Sequence, residues 1–217
     1  DPEMQARATL ALQRSLEKYD RDQGIWHGTG LSLDADILRD EESWRDALSA
    51  LSLPRRIMLD GQWHPAVVLR LGSKSARIGI EGVEDDEDGH WIPSRDVQWA
   101  SKAVEGDELG PKAKVASDLL GLGDVVLVRA LINDEGEFDR WSLRQVSQVQ
   151  GAFMAMDVNT GRVIAIQGGF SYEDSVYNRA TQADRQPGSS FKPFVYASAL
   201  DNGYTPAAIV IDAPIEI

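Results

Sequence analysis

Ser189 and Lys192 stand three residues apart in the run Gln186-Pro187-Gly188-Ser189-Ser190-Phe191-Lys192-Pro193. On a helix that spacing puts both side chains on one face. A lysine amine beside a serine hydroxyl acts as its base once desolvation or neighbours make the neutral amine available, and the serine becomes a nucleophile. The pattern alone is weak, since about one chance match is expected in a chain of this length. Ser15-Leu16-Glu17-Lys18 repeats it on the polar side of an amphipathic helix, where a surface salt-bridging role is the plain reading.

Context separates the two. Pro187-Gly188 makes a turn that delivers the chain sharply into a helix. At the start of that helix the free backbone N–H groups and the positive dipole end favour developing negative charge. Pro193 fits only in a first turn, where a missing N–H costs little. Phe191, Phe194 and Val195 can bury the opposite face and carry Lys192 at the root of a packed helix. Two readings follow from the residues: a catalytic pair, or a capped helix with a half-buried lysine. Ser190 is one position off, about 100 degrees around the helix, and takes no part.

The elements that position this run are legible in outline. Met4, Ala8, Ala11, Leu12, Leu16 and Tyr19 recur at helical spacing and predict a helix over residues 3–20, stopped by Gly24. A weaker pattern around Ile37, Leu38, Trp44 and Leu48 predicts another over 36–50. Trp63 to Leu71 and Ser75 to Ile80 flank Gly72-Ser73-Lys74, a hairpin signal. The acidic run Glu84-Asp85-Asp86-Glu87-Asp88 is a solvated turn, without the oxygen array of a calcium loop. Val125 to Leu131 is a strong strand, and Pro93 and Pro111 belong at edges or turns. About five short strands here predict a small barrel. Near residue 147 a second unit begins. Ala152 to Asp157 and Arg162 to Ile166 pair through a tight connection at Asn159 and Gly161, and Gly168-Gly169 ends the second strand. Polar loop follows from Tyr172 to Arg185, then a helix over Phe194 to Leu200, closed by Gly203. The terminal Asp212 to Ile217 alternates like a strand, and both ends read as cuts through a larger protein.

Bulk properties narrow the function classes. Among 217 residues, 22 Lys and Arg face 35 Asp and Glu, a formal net charge of -13. That repels a phosphate backbone, so nucleic acid is not expected as a partner. Without cysteine there is no disulfide, thiolate metal site or cysteine nucleophile. His27, His64 and His90 are scattered without partners at ligand spacing, so neither a metal nor a cofactor is expected. Trp26, Trp44, Trp63, Trp91, Trp99 and Trp141 read as packing residues rather than a base-stacking platform. Gly121-x-Gly123 is a turn, not a phosphate loop. Asp184 and Arg185 could pair to fix the loop into the serine helix.

The segment Arg179 to Tyr196, with Gln186 to Pro193 at its centre, closely resembles the active-serine region of class A (bifunctional) penicillin-binding proteins of the 1A type. Asp157, Thr160-Gly161 and Gly168-Gly169-Phe170 resemble the opening strands of the same transpeptidase domain, and Tyr177 to Ala180 its approach to the serine. Asp1-Pro2 and the helix ending at Tyr19-Asp20 resemble the lead-in that follows the glycosyltransferase domain. The resemblance implies a multidomain α+β architecture in three parts. Residues 1–50 would be a helical lead-in contributing to the transpeptidase domain, and 51–146 an oligonucleotide-binding-like (OB-like) β-barrel. Residues 147–217 would be the N-terminal portion of a serine β-lactamase/transpeptidase-like fold, an antiparallel sheet with helices.

By that resemblance the activity is peptidoglycan D,D-transpeptidation. Ser189 would form an acyl-enzyme with release of D-Ala, Lys192 would take the serine proton, and the Ser189 N–H would belong to the oxyanion hole. Stem peptides are the implied substrates and β-lactams the implied covalent inhibitors. The implied location is the periplasmic side of the bacterial inner membrane, with a membrane anchor outside this chain. The family's Ser-x-Asn and Lys-Thr-Gly elements do not occur in the 25 residues after Lys192. The chain alone is therefore expected to be inactive, and the remainder of the protein, in the same or a separate chain, to supply them. Two other classes stand beside this one. The OB-like domain could serve as a scaffold that contacts a cell-wall regulator or cell-wall material, or the chain could be a relative of serine β-lactamases and D,D-carboxypeptidases. The latter do not need a barrel upstream of the hairpin.

Overall fold

An aspartate, a proline and a glutamate at the N-terminus meet the needs of a helix start, and α1 runs over Pro2–Gln23. The Asp1 carboxylate accepts the Met4 N–H at 3.1 Å, Pro2 occupies the first turn, and Gly24, at φ 72°, ends the helix in the left-handed conformation. The computed structural model describes residues 1–61, 63–103 and 109–211, so the strand-like Asp212 to Ile217 lies outside the described residues. The buried stripe of α1 differs from the apolar one predicted. Met4, Ala11 and Tyr19 are exposed, whereas Gln13, Glu17 and Asp20 are buried with Ala8 and Leu16. The reason is polar anchoring. Gln13 Nε2 donates to the Ile57 and Phe170 carbonyls at 2.7 and 2.9 Å, and its Oε1 accepts the Leu59 N–H at 3.0 Å.

Beyond Gly24 lie the short strand β1 (Ile25–Trp26), a single 3-10 turn at Ile37–Arg39, and α2 (Glu41–Ala50), capped by the Asp40 carboxylate. The predicted helix over 36–50 is thus broken at Asp40, whose side chain bonds Ser43 instead of continuing the turn. The barrel follows in β2 (Trp63–Leu71), β3 (Ala76–Ile80), β4 (His90–Ile92), β5 (Ser101–Ala103), β6 (Leu109–Lys112), β7 (Val125–Ile132) and β8 (Phe138–Arg144). Five of these make one antiparallel sheet in the order β4-β3-β2-β7-β8. The sheet curls until its end strands meet side by side, with the His90 and Trp141 rings 5.7 Å apart. This is the small barrel that the strand pattern predicts. β1, β5 and β6 form a separate three-stranded sheet, with Pro111 on its edge strand β6.

Alternation along the strands sorts side chains into two cores. Ala66, Val68, Ile78, Ile80, Ile92, Val126, Val128 and Leu143 fill the barrel interior, with Trp26 and Trp141. Val67 and Val125 point outward instead, against Trp44 and Leu48 of α2. Side chains this size each contribute roughly 1.5–3 kcal/mol on full burial. A Cβ on Gly79 would lie 2.5 Å from the Trp44 ring, so the bare glycine is what lets α2 lie flat on β3. Gly123, at φ 83°, turns the chain into β7 where a Cβ would strike the Leu33 carbonyl.

A second, two-stranded antiparallel sheet pairs β9 (Phe153–Met156) with β10 (Val163–Gln167). The turn between them is organised by Asp157, whose Oδ1 accepts from the Asn159 N–H, the Thr160 N–H and the Thr160 hydroxyl. α1 lies along β10 and treats it as an open edge. The Gln5 side-chain amide exchanges two 2.9 Å hydrogen bonds with the Ile166 backbone, and Thr9 donates to Gln167 Oε1 at 2.9 Å. Leu16, Ile57, Met58, Trp63, Leu127 and Phe170 close a third cluster between helix, barrel wall and hairpin exit. All of these elements belong to one compact unit, Asp1–Gln182, and a second unit begins at Ala183.

Candidate active site

The chain that leads toward Ser189 is fastened to the end of the hairpin. Arg179 N–H donates to the Gly168 carbonyl at 2.9 Å, and a Cβ on Gly168 would strike the Asn178 side chain. Gln182 Oε1 accepts the Asn178 N–H at 2.7 Å, and the Tyr177 hydroxyl donates to the Gln182 carbonyl at 2.7 Å. These bonds hold Tyr177 to Ala180, the stretch read in the sequence as the approach to the serine, at the hairpin end. Gln182, which fixes it, gives no sequence signal, because a lone glutamine in a polar stretch carries no local pattern.

Within the second unit, Gly188 adopts φ 54° and a 3-10 turn covers Gly188–Phe191, running directly into α3 (Lys192–Asp201). Asn202 and Gly203, the latter at φ 87°, end it. The helix thus starts two residues before the predicted Phe194, and Pro193 sits in its first turn. Ser189 and Lys192 lie three residues apart along this one continuous turn, the Lys192 N–H donating to the Ser189 carbonyl. Both side chains are exposed, and no hydrogen bond joins them among the described residues. The Ser190 hydroxyl, by contrast, donates to the Pro187 carbonyl at 2.5 Å. Its proton is already engaged by the turn.

Two expectations about this region are corrected. α3 buries none of its residues, and Phe191, Phe194 and Val195 are all more than half exposed, so Lys192 is not at the root of a packed helix. Within the second unit Tyr204, Pro206 and Val210 lie beside Tyr196, Ala199 and Leu200 but leave the apolar face of the helix open. Asp184 and Arg185 are exposed and form no ion pair among the described residues. Neighbouring side chains in an irregular stretch diverge too readily to hold one.

Other residues singled out in the sequence sit in structural surroundings. Lys18 pairs with Asp22 at 2.5 Å on the exposed face of α1, so Ser15-x-x-Lys18 is surface chemistry. The six tryptophans are buried or half-buried in packing positions. No group of three candidate metal ligands gathers among the described residues, and no described helix is long and apolar enough to cross a membrane. His27 lies 3.7 Å from buried Asp20, which accepts from Gln145 at 2.7 Å, a polar knot between α1 and the barrel that no local motif announces.

Comparison with known proteins accords with this arrangement. The model of the penicillin-binding protein OB-like domain matches residues 26–149, and that of the penicillin-binding protein transpeptidase domain matches residues 151–216. Penicillin-binding protein 1A of Vibrio cholerae is 34% identical over 99% of this chain and 25% of its own length. Penicillin-binding protein 1A of Rickettsia typhi is 35% identical over 100% of the chain and 24% of its own. The crystal structure of penicillin-binding protein 1A from Haemophilus influenzae superposes with a TM-score of 0.68 at 28% identity, covering 98% of this chain and 28% of that one. The chain spans about a quarter of the length of these curated relatives. With an OB-like barrel and part of a transpeptidase domain in the order shared by these relatives, the chain belongs to the penicillin-binding proteins.

Proposed function

We infer that this chain forms part of a peptidoglycan D,D-transpeptidase in which Ser189 is the nucleophile and Lys192 its base. The observation that carries the reading is the unbroken turn from Gly188 through Lys192, within the stretch matched by the transpeptidase family model. In this scheme Ser189 Oγ attacks the carbonyl carbon of the penultimate D-Ala of a stem peptide while its proton passes to Lys192 Nζ. The C–N bond to the terminal D-Ala breaks, D-Ala leaves with a proton, and an acyl-serine remains. An amine of a second stem peptide then attacks that ester, frees Ser189 and completes a cross-link. The Ser189 N–H, at the start of a helical turn, stabilises the oxyanion. A β-lactam acylates the same oxygen by ring opening. The remaining elements, Ser-x-Asn and Lys-Thr-Gly, come from the rest of the protein. They also cover α3 and desolvate Lys192, which favours its neutral form. The location is the periplasmic face of the inner membrane, held there by a segment outside this chain.

The test is intact mass after exposure to a fluorescent penicillin, on this chain alone and with a polypeptide carrying the two downstream elements. The expected result is an adduct on Ser189 only in the second case. An adduct on another residue, or none in either preparation, would overturn the assignment.

A further inference from the structure

The seam where the barrel stops short of closing contains a cleft with no role in acyl transfer. β4 and β8 are the two end strands of the five-stranded sheet and share no ladder among the described residues. Between them opens a cavity of about 290 Å³, near the lower end of small-molecule sites. Its wall is aromatic. Trp141 of β8 is packed edge-on by His90 of β4 at 5.7 Å, and Phe138 lies 5.5 Å away on the same strand. Phe138 is 53% exposed, so part of its ring faces the cleft mouth.

Beside that wall lies an array of alternating charges. Arg140 Nε meets Asp96 Oδ2 at 2.6 Å, and Asp96 Oδ1 accepts the Ser142 hydroxyl at 2.6 Å. Asp139 pairs with both Arg140 and Arg95, the latter at 3.0 Å. Two guanidiniums are thus matched by two carboxylates, one of them buried, and Asp86 adds a negative charge at the rim. A phosphate or a free carboxylate finds no uncommitted cation here, and the chain's net charge of -13 opposes it further. What the cleft does offer is a fixed row of donors and acceptors next to a partly exposed aromatic face. That combination suits an uncharged, hydroxyl-rich ring with an apolar C–H face. Accordingly, we propose that the β4–β8 cleft of the OB-like domain is a carbohydrate-binding subsite, taking a neutral stretch of glycan chain. The sugar ring stacks on Phe138, and its hydroxyls exchange hydrogen bonds with Asp139, Arg140 and Arg95. The proposed transpeptidase role supplies only the source of the glycan, the cell wall. The site itself stands on residues outside the Ser189 region.

The experiment titrates the full chain with chitotetraose, and separately with a glycan-free stem peptide, following tryptophan indole N–H resonances. The expected result is saturable movement of the Trp91 and Trp141 signals with the sugar and none with the peptide. Phe138→Ala and the exposed Arg95→Ala should each weaken binding roughly tenfold, about 1.4 kcal/mol. Tyr172→Ala, exposed and away from the cleft, should change nothing. Thermal melting confirms that each variant is folded, and if Phe138→Ala is not, Arg95→Ala decides. The proposal is overturned by a non-saturating sugar titration, by movement with the peptide alone, or by wild-type affinity in the folded variants. Penicillin acylation of Phe138→Ala in the complemented preparation is expected to equal wild type, so failure of one reading is distinguishable from failure of the other.

Discussion

Two adjacent serines sit in the Gly188–Phe191 turn, and their hydroxyls have different duties. That of Ser190 is spent on the Pro187 carbonyl, while that of Ser189 has no intramolecular partner among the described residues. In the complemented preparation Ser189→Ala should abolish the penicillin adduct. Ser190→Ala should keep it, slowed at most severalfold through a looser turn, as intact mass over time would record. Asp157 carries a second prediction at this scale. Hydrogen bonds from the Thr160 N–H, the Thr160 hydroxyl and the Asn159 N–H hold its carboxyl below the 3.8 of an unperturbed aspartate. Because the folded value is the lower one, the stabilisation is fully present above the unfolded value and is lost as pH falls through the folded one. The Thr160 amide resonance should therefore shift with an acidic midpoint below 3.8. In Asp157→Asn that titration should vanish, and a midpoint at or above the unperturbed value would contradict the turn geometry.

Element by element, what the sequence disclosed and what it withheld divide along a physical line. β2, β3 and β7 are legible because each buries apolar side chains on its own strand, so their patterns are local. The turn at Gly188 and the helix after Lys192 are legible from Pro187, Gly188 and Pro193, residues with fixed backbone consequences. The buried side of α1 is not, because Gln13, Glu17 and Asp20 find their partners far along the chain. Glu17 is the sharpest case. Its carboxylate lies 3.1 Å from Arg144 Nε of β8, both side chains nearly buried, although the contact is too misaligned to be a hydrogen bond. Burial pulls the Arg144 guanidinium down to about 10, more than Glu17 offsets. Glu17→Ala would strand that charge and should cost about 3 kcal/mol, read as a lower denaturant midpoint. The double variant Glu17→Leu, Arg144→Met should recover most of the loss. Equal losses in single and double variants would mean that the pair does not act as a unit.

Across the whole molecule, burial is unevenly spread, and that bears on how a chain spanning about a quarter of its relatives' length behaves. The interior strands β2, β3 and β7 contain side chains with no exposed surface, such as Val67, Val68, Ile78, Ile80 and Val128. α3 has none, and Phe191, Phe194, Tyr196 and Leu200 are each more than half exposed. A short helix gains most of its stability from packing an apolar face, not from propensity. Its amides should therefore open by local fluctuation, while the barrel amides need something close to global unfolding. Hydrogen exchange followed by mass spectrometry should show residues 192–201 exchanging orders of magnitude faster than residues 63–80 in the chain alone. Adding a polypeptide that carries the proposed Ser-x-Asn and Lys-Thr-Gly elements should protect α3 and leave the barrel strands unchanged. Slow exchange in α3 before that addition would mean that the helix is stable without its cover. The proposed role of Lys192 as a base would then need a source of desolvation other than the docking of such a polypeptide.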